Sequence, residues 1–204
     1  MDFDFANDAR SILDARFAAR EQGITGSRRV IRSSANGIRA LHREEWDAAS
    51  GLITEAGALL SEITAALEAH PDILHAGFVS DAAKEYAEAS ITAALFRGEE
   101  IPGFSKLGVD PVPYLHGLGE AVGELRRRLL DLLRKGDVTG AEEALETMDR
   151  IVDLLAEMDY PDGMTGGLRR TTDVARSLVE RSRSDLTATV VQERLRQELA
   201  NHLT

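Results

Sequence analysis

No cysteine occurs in this chain, so neither a disulfide nor a thiolate-bound metal can form within it. Proline is scarce, at 5 of 204 residues, and glycine tends to fall between periodic segments rather than inside them. No apolar run approaches the roughly 20 residues that span a bilayer, so no membrane partner is expected. The opening Met1-Asp2-Phe3-Asp4-Phe5 offers neither a basic nor an apolar targeting region, and the expected location is cytoplasmic. There is no Walker-type glycine loop, no dinucleotide fingerprint following a strand and no hydrolytic triad. Strand-like alternation is missing too, as are repeats at solenoid periods.

What remains is helical periodicity, in a composition that is 43% apolar and suits a globular protein. A first helix is expected from about Phe5 to Glu21, with a break at Gly23-Ile24-Thr25-Gly26. A second, with Ser27 as N-cap, runs towards Glu45. A third covers Trp46 to His70 and stops before Pro71; a fourth runs from about Ser80 to Phe96. After a loop from Gly98 to Asp110, Asp110-Pro111 starts a fifth helix that reaches Lys135 and stops at Gly136. Asp137 opens a sixth, ending near Met158. Tyr160-Pro161-Asp162-Gly163 breaks the chain before a long last helix from about Thr165. The fold expected is all-α, an antiparallel bundle of about seven helices, in a single domain over residues 1–204.

The formal charge is -11, which at first sight excludes a nucleic-acid ligand, but its distribution says otherwise. Lysine is nearly absent, with only Lys84, Lys106 and Lys135 against 21 arginines. Seven of those arginines lie between Arg16 and Arg43, where Glu21 is the one acid. On a helix from Ser27 to Glu45, Arg28, Arg32, Arg39 and Arg43 fall within roughly 60° of one another. Val30, Ile31, Ile38 and Leu41 take a separate face that can enter the bundle. A row of guanidiniums matches phosphate oxygens and follows a backbone without reading its bases. Arg29 and His42 are further candidate contacts. The plainer alternative is a solvated face whose arginines pair with acids on neighbouring helices.

Carboxylates also come in pairs. Glu85 and Glu88 are three apart on the fourth helix, and Glu120 and Glu124 are four apart on the fifth, so each pair shares one side of its helix. Glu85 and Glu88 lie beside Ala89, Thr92, Leu95 and Phe96, which favours a half-buried setting. Glu120 and Glu124 lie with His116, away from Leu118, Val122, Leu125 and Leu129. Four such oxygen donors suit a hard divalent cation that activates water for phosphodiester cleavage. Glutamates tolerated on a helix surface are the alternative. A carboxylate di-iron centre fits less well, because the Glu-x-x-His pattern is missing.

Three stretches together resemble the translin family. Ser27 to Glu44, SRRVIRSSANGIRALHRE, resembles its arginine-rich helix. Tyr114 to Arg128, YLHGLGEAVGELRRR, resembles its YL-x-G-[LV]-x-D-x-x-GEL-x-R segment, and is followed by Gly136-Asp137. Leu168 to Glu180, LRRTTDVARSLVE, is the third. In order and spacing they span from about Ala6 to Leu186. The resemblance implies a seven-helix protomer of translin type that assembles into a closed homo-octamer with nucleic acid on its inner surface. It also implies a ribonuclease site in the catalytic branch, related to translin-associated factor X. Glu85 and Glu88, in KEYAEA, match that branch's Glu-x-x-Glu, and Glu124 matches the acid of its GEL element. Glu120 departs from the pattern, which has Asp there, so the metal geometry is in question.

The function expected is a magnesium-dependent endoribonuclease acting on short or single-stranded RNA, with Mn2+ as the alternative ion. Glu85, Glu88, Glu120 and Glu124 would hold the metal and serve catalysis. Arg28, Arg29, Arg32, Arg39, His42 and Arg43 would hold the nucleic acid. A non-catalytic protein binding single-stranded DNA or RNA is the main alternative, and a helical scaffold for proteins is the third.

Overall fold

In a computed structural model, which describes residues 5–202, the chain is all-α. Met1 to Asp4, read above for targeting features, lie outside the described residues. Nine helices run through the described residues. They are α1 (Phe5–His42), α2 (Trp46–Leu67), α3 (Pro71–Leu74), α4 (Gly77–Arg97), α5 (Phe104–Leu107), α6 (Pro111–Lys135), α7 (Val138–Ala156), α8 (Asp162–Thr165) and α9 (Leu168–His202). The chain divides into two compact units, one up to Gly117 and the other from Leu118.

The expected count of seven is not what the described residues show. Three of the nine helices are four-residue turns, and α5 and α8 fall where only loops were expected. The first two expected helices, in turn, are one helix of 38 residues. Gly23 and Gly26 do not break α1, because both serve as contact surfaces. A Cβ at Gly23 would lie 3.0 Å from Phe78 Cε2 and 3.1 Å from Leu67 Cδ1, and one at Gly26 only 2.6 Å from Ile63 Cγ1. A glycine inside a helix costs about 1 kcal/mol relative to alanine, and close packing against α2 and α4 offsets it. Ser27 is therefore no N-cap: it sits mid-helix, 1% exposed, and its hydroxyl has no hydrogen-bond partner among the described residues.

Within the first unit, α1 packs along α2 and α4. Val30, Ile38 and Leu41 are buried, as the periodicity predicts. Ser33 Oγ donates to the Leu52 carbonyl at 3.0 Å and lies 2.7 Å from a Glu55 carboxylate oxygen, tying α1 to α2. The leading turns of α1 differ: Phe5, Ile12, Leu13 and Phe17 are all exposed.

In the second unit, α7 packs on α9, with Leu145, Met148 and Val152 buried on α7 and Ala175 and Val179 on α9. Leu118, Val122, Leu125 and Leu129 form the buried side of α6. Arg126 on α6 donates to Ser182 Oγ at 2.9 Å and to Asp185 Oδ2 at 2.8 Å on α9. Gly136, at φ 81°, follows α6, and the Asp137 carboxylate caps α7 by accepting from Gly140 N at 2.9 Å. Both ends match the sequence-based expectation.

Candidate metal and nucleic-acid site

The acidic residues are positioned by two helices whose small side chains allow a close crossing. On α4, Ala82, Ala83, Ala87 and Ala89 are buried and keep its surface low. On α6, Gly117 lies against the α4 backbone: a Cβ there would be 2.7 Å from the Lys84 carbonyl oxygen and 2.9 Å from Glu88 N. The start of α6 is held by Tyr114, whose hydroxyl donates to the Pro102 carbonyl at 3.0 Å and whose ring meets Phe104 edge-on. Burial pushes the Tyr114 hydroxyl above its usual pKa, because the phenolate would lose its hydration.

On this frame, α4 carries Glu85 and Glu88 one turn apart, and α6 carries Glu120 and Glu124. Glu88 is 8% exposed, and Glu85 and Glu120 are half-buried, so these acids are not a solvated helix surface. Lys84 Nζ sits 3.4 Å from Glu85 Oε1 and partly balances the charge. Glu124, one turn farther along α6, is also half-buried. His116, a turn before Glu120, is half-buried as well.

The donor set fits a hard divalent cation. All three ligands are carboxylates, with no soft donor among them. Around an octahedral Mg2+ at about 2.1 Å, neighbouring oxygens lie about 3 Å apart and opposite ones about 4.2 Å. Glu85 and Glu88 can therefore offer oxygen ligands to a divalent metal.

The arginine row is exposed on α1. Arg28, Arg29, Arg32, Arg39 and Arg43 all reach solvent, whereas His42 is half-buried with its ring edge-on to Phe96, 5.1 Å between centroids. Arg28, Arg29 and Arg32 make no ion pair with any described residue, so the reading in which acids on neighbouring helices absorb this row does not hold for them. Arg39 donates to Asn36 Oδ1 at 2.7 Å, and Arg43 forks onto both Glu45 oxygens at 2.8 Å. That hydrogen bonding raises the Arg43 pKa and lowers that of Glu45. Towards the start of α1, Arg16 pairs with Asp72 and Arg20 with Glu21.

Two participants were not singled out from the sequence. Lys84 is one, although its place beside Glu85 was a usable signal. Gly117 is the other, hidden because a helical glycine reads first as a weak point.

Comparison with known proteins bears on this arrangement. No protein-family model matches the chain. AfC3PO, however, is 34% identical, superposes with a TM-score of 0.84, and is matched over 92% of this chain and 97% of its own. The chain belongs to the C3PO/translin family. AfC3PO has also been solved in complex with duplex RNA, and that structure superposes with a TM-score of 0.83. A third relative, apo-NeC3PO, is 20% identical with a TM-score of 0.83 over 93% of this chain and 99% of that one, which speaks for the C3PO fold alone. An uncharacterized protein of Methanocaldococcus jannaschii is 25% identical over 184 residues, covering 89% of this chain and 81% of that protein.

Proposed function

We propose that this C3PO/translin-family chain is a magnesium-dependent endoribonuclease that cleaves short or single-stranded RNA within a homo-octameric shell. The observation that carries the reading is the near-buried Glu88, 8% exposed, one turn from Glu85 on α4. In this reading the whole chain works as one domain of the translin-type seven-helix bundle, in the cytoplasm, and among the described residues no helix is long and apolar enough to cross a membrane. RNA as the ligand is supported by the exposed Arg28, Arg29 and Arg32, which make no ion pair among the described residues, and by AfC3PO having been solved with duplex RNA. Assembly is supported by apolar side chains left in water: Phe5, Ile12, Leu13 and Phe17 on α1, and Val191, Leu195 and Leu199 on α9.

Glu85, Glu88 and Glu120 are the metal ligands, with Glu124 as a fourth acid nearby on α6; Mg2+ is the preferred ion and Mn2+ the alternative. When bound, the ion supplies a hydroxide-like nucleophile at neutral pH and offsets charge on the departing oxygen. The chain's own part is to fix the oxygens. Glu88, nearly buried, has little freedom to swing into solvent, and the rigid α4 places Glu85 one turn before it. Arg28, Arg32, Arg39 and Arg43, with Arg29 and His42 beside them, hold the phosphate backbone and leave sequence choice open.

The test is cleavage of end-labelled RNA in Mg2+ and in EDTA. Cleavage should require the ion and fall at least a hundredfold in Glu88→Gln and Glu120→Gln, while RNA affinity stays within about threefold. Cleavage that persists in EDTA, or survives both substitutions, refutes metal-dependent hydrolysis. Binding without cleavage in the unaltered protein identifies the non-catalytic binder instead.

A further inference from the structure

We infer that Trp46 is a stacking platform for one unpaired nucleobase, standing where the arginine row of α1 ends. This rests on the reading of RNA as the ligand, and it names how a single strand is told from a duplex.

The corner that presents Trp46 lies within the first compact unit and is built by short-range signals. After His42 the end of α1 closes on itself. The Glu44 N–H donates to the Leu41 carbonyl at 3.0 Å and the Glu45 N–H to the Ala40 carbonyl at 3.0 Å, with Glu44 in the left-handed region at φ 60°. Because α2 begins at the next residue, the indole stands at the turn itself. The end of α4 meets it there. Phe96, 5% exposed, has the His42 ring edge-on to it, and Gly98 stops the helix at φ 67°. Arg97, between those two, lies over the indole, 5.9 Å from guanidinium carbon to ring centroid, and its Nη2 donates to the Trp46 carbonyl at 3.4 Å. The ring is thus held by its neighbours and still 37% exposed. Tryptophan is enriched on binding surfaces, because a flat apolar ring there ends in a polar N–H.

Charge decides what meets that ring. Along α1, the guanidiniums of Arg28, Arg32, Arg39 and Arg43 suit phosphates. At the corner the balance reverses: Glu44, Glu45 and Asp47 flank Trp46, and Glu99 and Glu100 follow α4. Glu45 already occupies the Arg43 fork at 2.8 Å. A phosphate is disfavoured among these acids, whereas a nucleobase is neutral and is not. Trp46 follows Arg43 by three residues, at most about 11 Å along the chain. One strand can therefore lay phosphates on the row and turn a base onto the indole. Arg97 steadies the ring plane by attraction to its negative face. Every base has a flat face, so the platform reads no sequence. It reads pairing, because bases inside a duplex are already stacked on both sides.

The experiment uses the one tryptophan of the chain as its own reporter. Emission of the full chain is followed in EDTA as three RNAs are added separately: single-stranded oligoadenylate, an abasic strand with the same number of phosphates, and a duplex closed at both ends by abasic linkers. Oligoadenylate should quench Trp46, and the other two should not. In binding measured with labelled strands, Trp46→Leu should lose about fivefold or more for oligoadenylate, the lower end of what stacking contributes per base, and no more than about twofold for the abasic strand. Trp46→Phe keeps an aromatic face and should lose less than Trp46→Leu. Emission that answers equally to oligoadenylate and the abasic strand overturns the proposal. So does an equal loss for both strands in Trp46→Leu, which marks a disrupted corner. If Trp46→Leu does not fold, the emission comparison in the unaltered protein decides alone. An unaltered protein that binds neither strand refutes RNA as the ligand and the platform with it, whereas one that binds both equally, with emission unchanged, refutes only the platform.

Discussion

Replacing Arg28 and Arg32 together by alanine should flatten the salt dependence of RNA binding by a calculable amount. The two side chains are exposed, make no ion pair among the described residues, and lie four residues, or about 6 Å, apart along α1. Neither has a carboxylate among the described residues to give up before it can meet a phosphate. Each phosphate contact on a single strand contributes about 0.7 to the slope of log affinity against log salt. Losing two lowers the slope by about 1.4 for each protomer engaged. Between 50 and 200 mM salt, the unaltered protein should therefore lose about sevenfold more affinity than the double variant. Arg43 should behave differently, because Glu45 already fills its fork at 2.8 Å and the gain from a phosphate is an exchange. Arg43→Ala is expected to change the slope least. Fluorescence anisotropy with labelled RNA in the Glu88→Gln background, with EDTA present, keeps the ligand intact through the titration. A slope unchanged by the double substitution would mean that this row does not touch the backbone, and the argument from exposed guanidiniums would be wrong.

Three further outcomes follow from the packing. Arg126→Ala removes donors to Ser182 Oγ and Asp185 Oδ2 from a largely buried side chain and should cost about 1–3 kcal/mol, read as a lower urea midpoint at constant m-value. Thr92→Val should stabilise by about 1 kcal/mol, since the Thr92 hydroxyl is fully buried with no hydrogen-bond partner among the described residues; a destabilised variant would show that the hydroxyl matters. The Tyr114 pKa is raised by burial, so its protonated form contributes stability that is complete below the ordinary tyrosine value near 10 and is lost as pH rises through the raised value. Alkaline unfolding monitored by circular dichroism should lose that step in Tyr114→Phe.

Legibility from sequence followed the strength of the local signal. Asp110-Pro111 and Gly136-Asp137 marked the ends of α6 and the start of α7 correctly, because a proline in the first turn, a left-handed glycine and a capping carboxylate act within a few residues. The pairs Glu85–Glu88 and Glu120–Glu124 were visible as spacings. Which of these acids share one ion depends on how the helices meet, a tertiary matter that no spacing contains. Gly23 and Gly26 misled for the same reason. In isolation they read as a break, and only Phe78, Leu67 and Ile63, distant in sequence, explain why the helix continues. Gly117, against the α4 backbone, carries the identical ambiguity.

The front of α1 has a consequence for handling the protein. Phe5, Ile12, Leu13 and Phe17 are each more than 60% exposed, and water offers them nothing. If a second subunit covers them, part of the protein's thermal resistance belongs to the association and not to the fold. Its melting temperature should then climb with protein concentration, and dilution into the nanomolar range should leave a softer molecule than the one measured at micromolar strength.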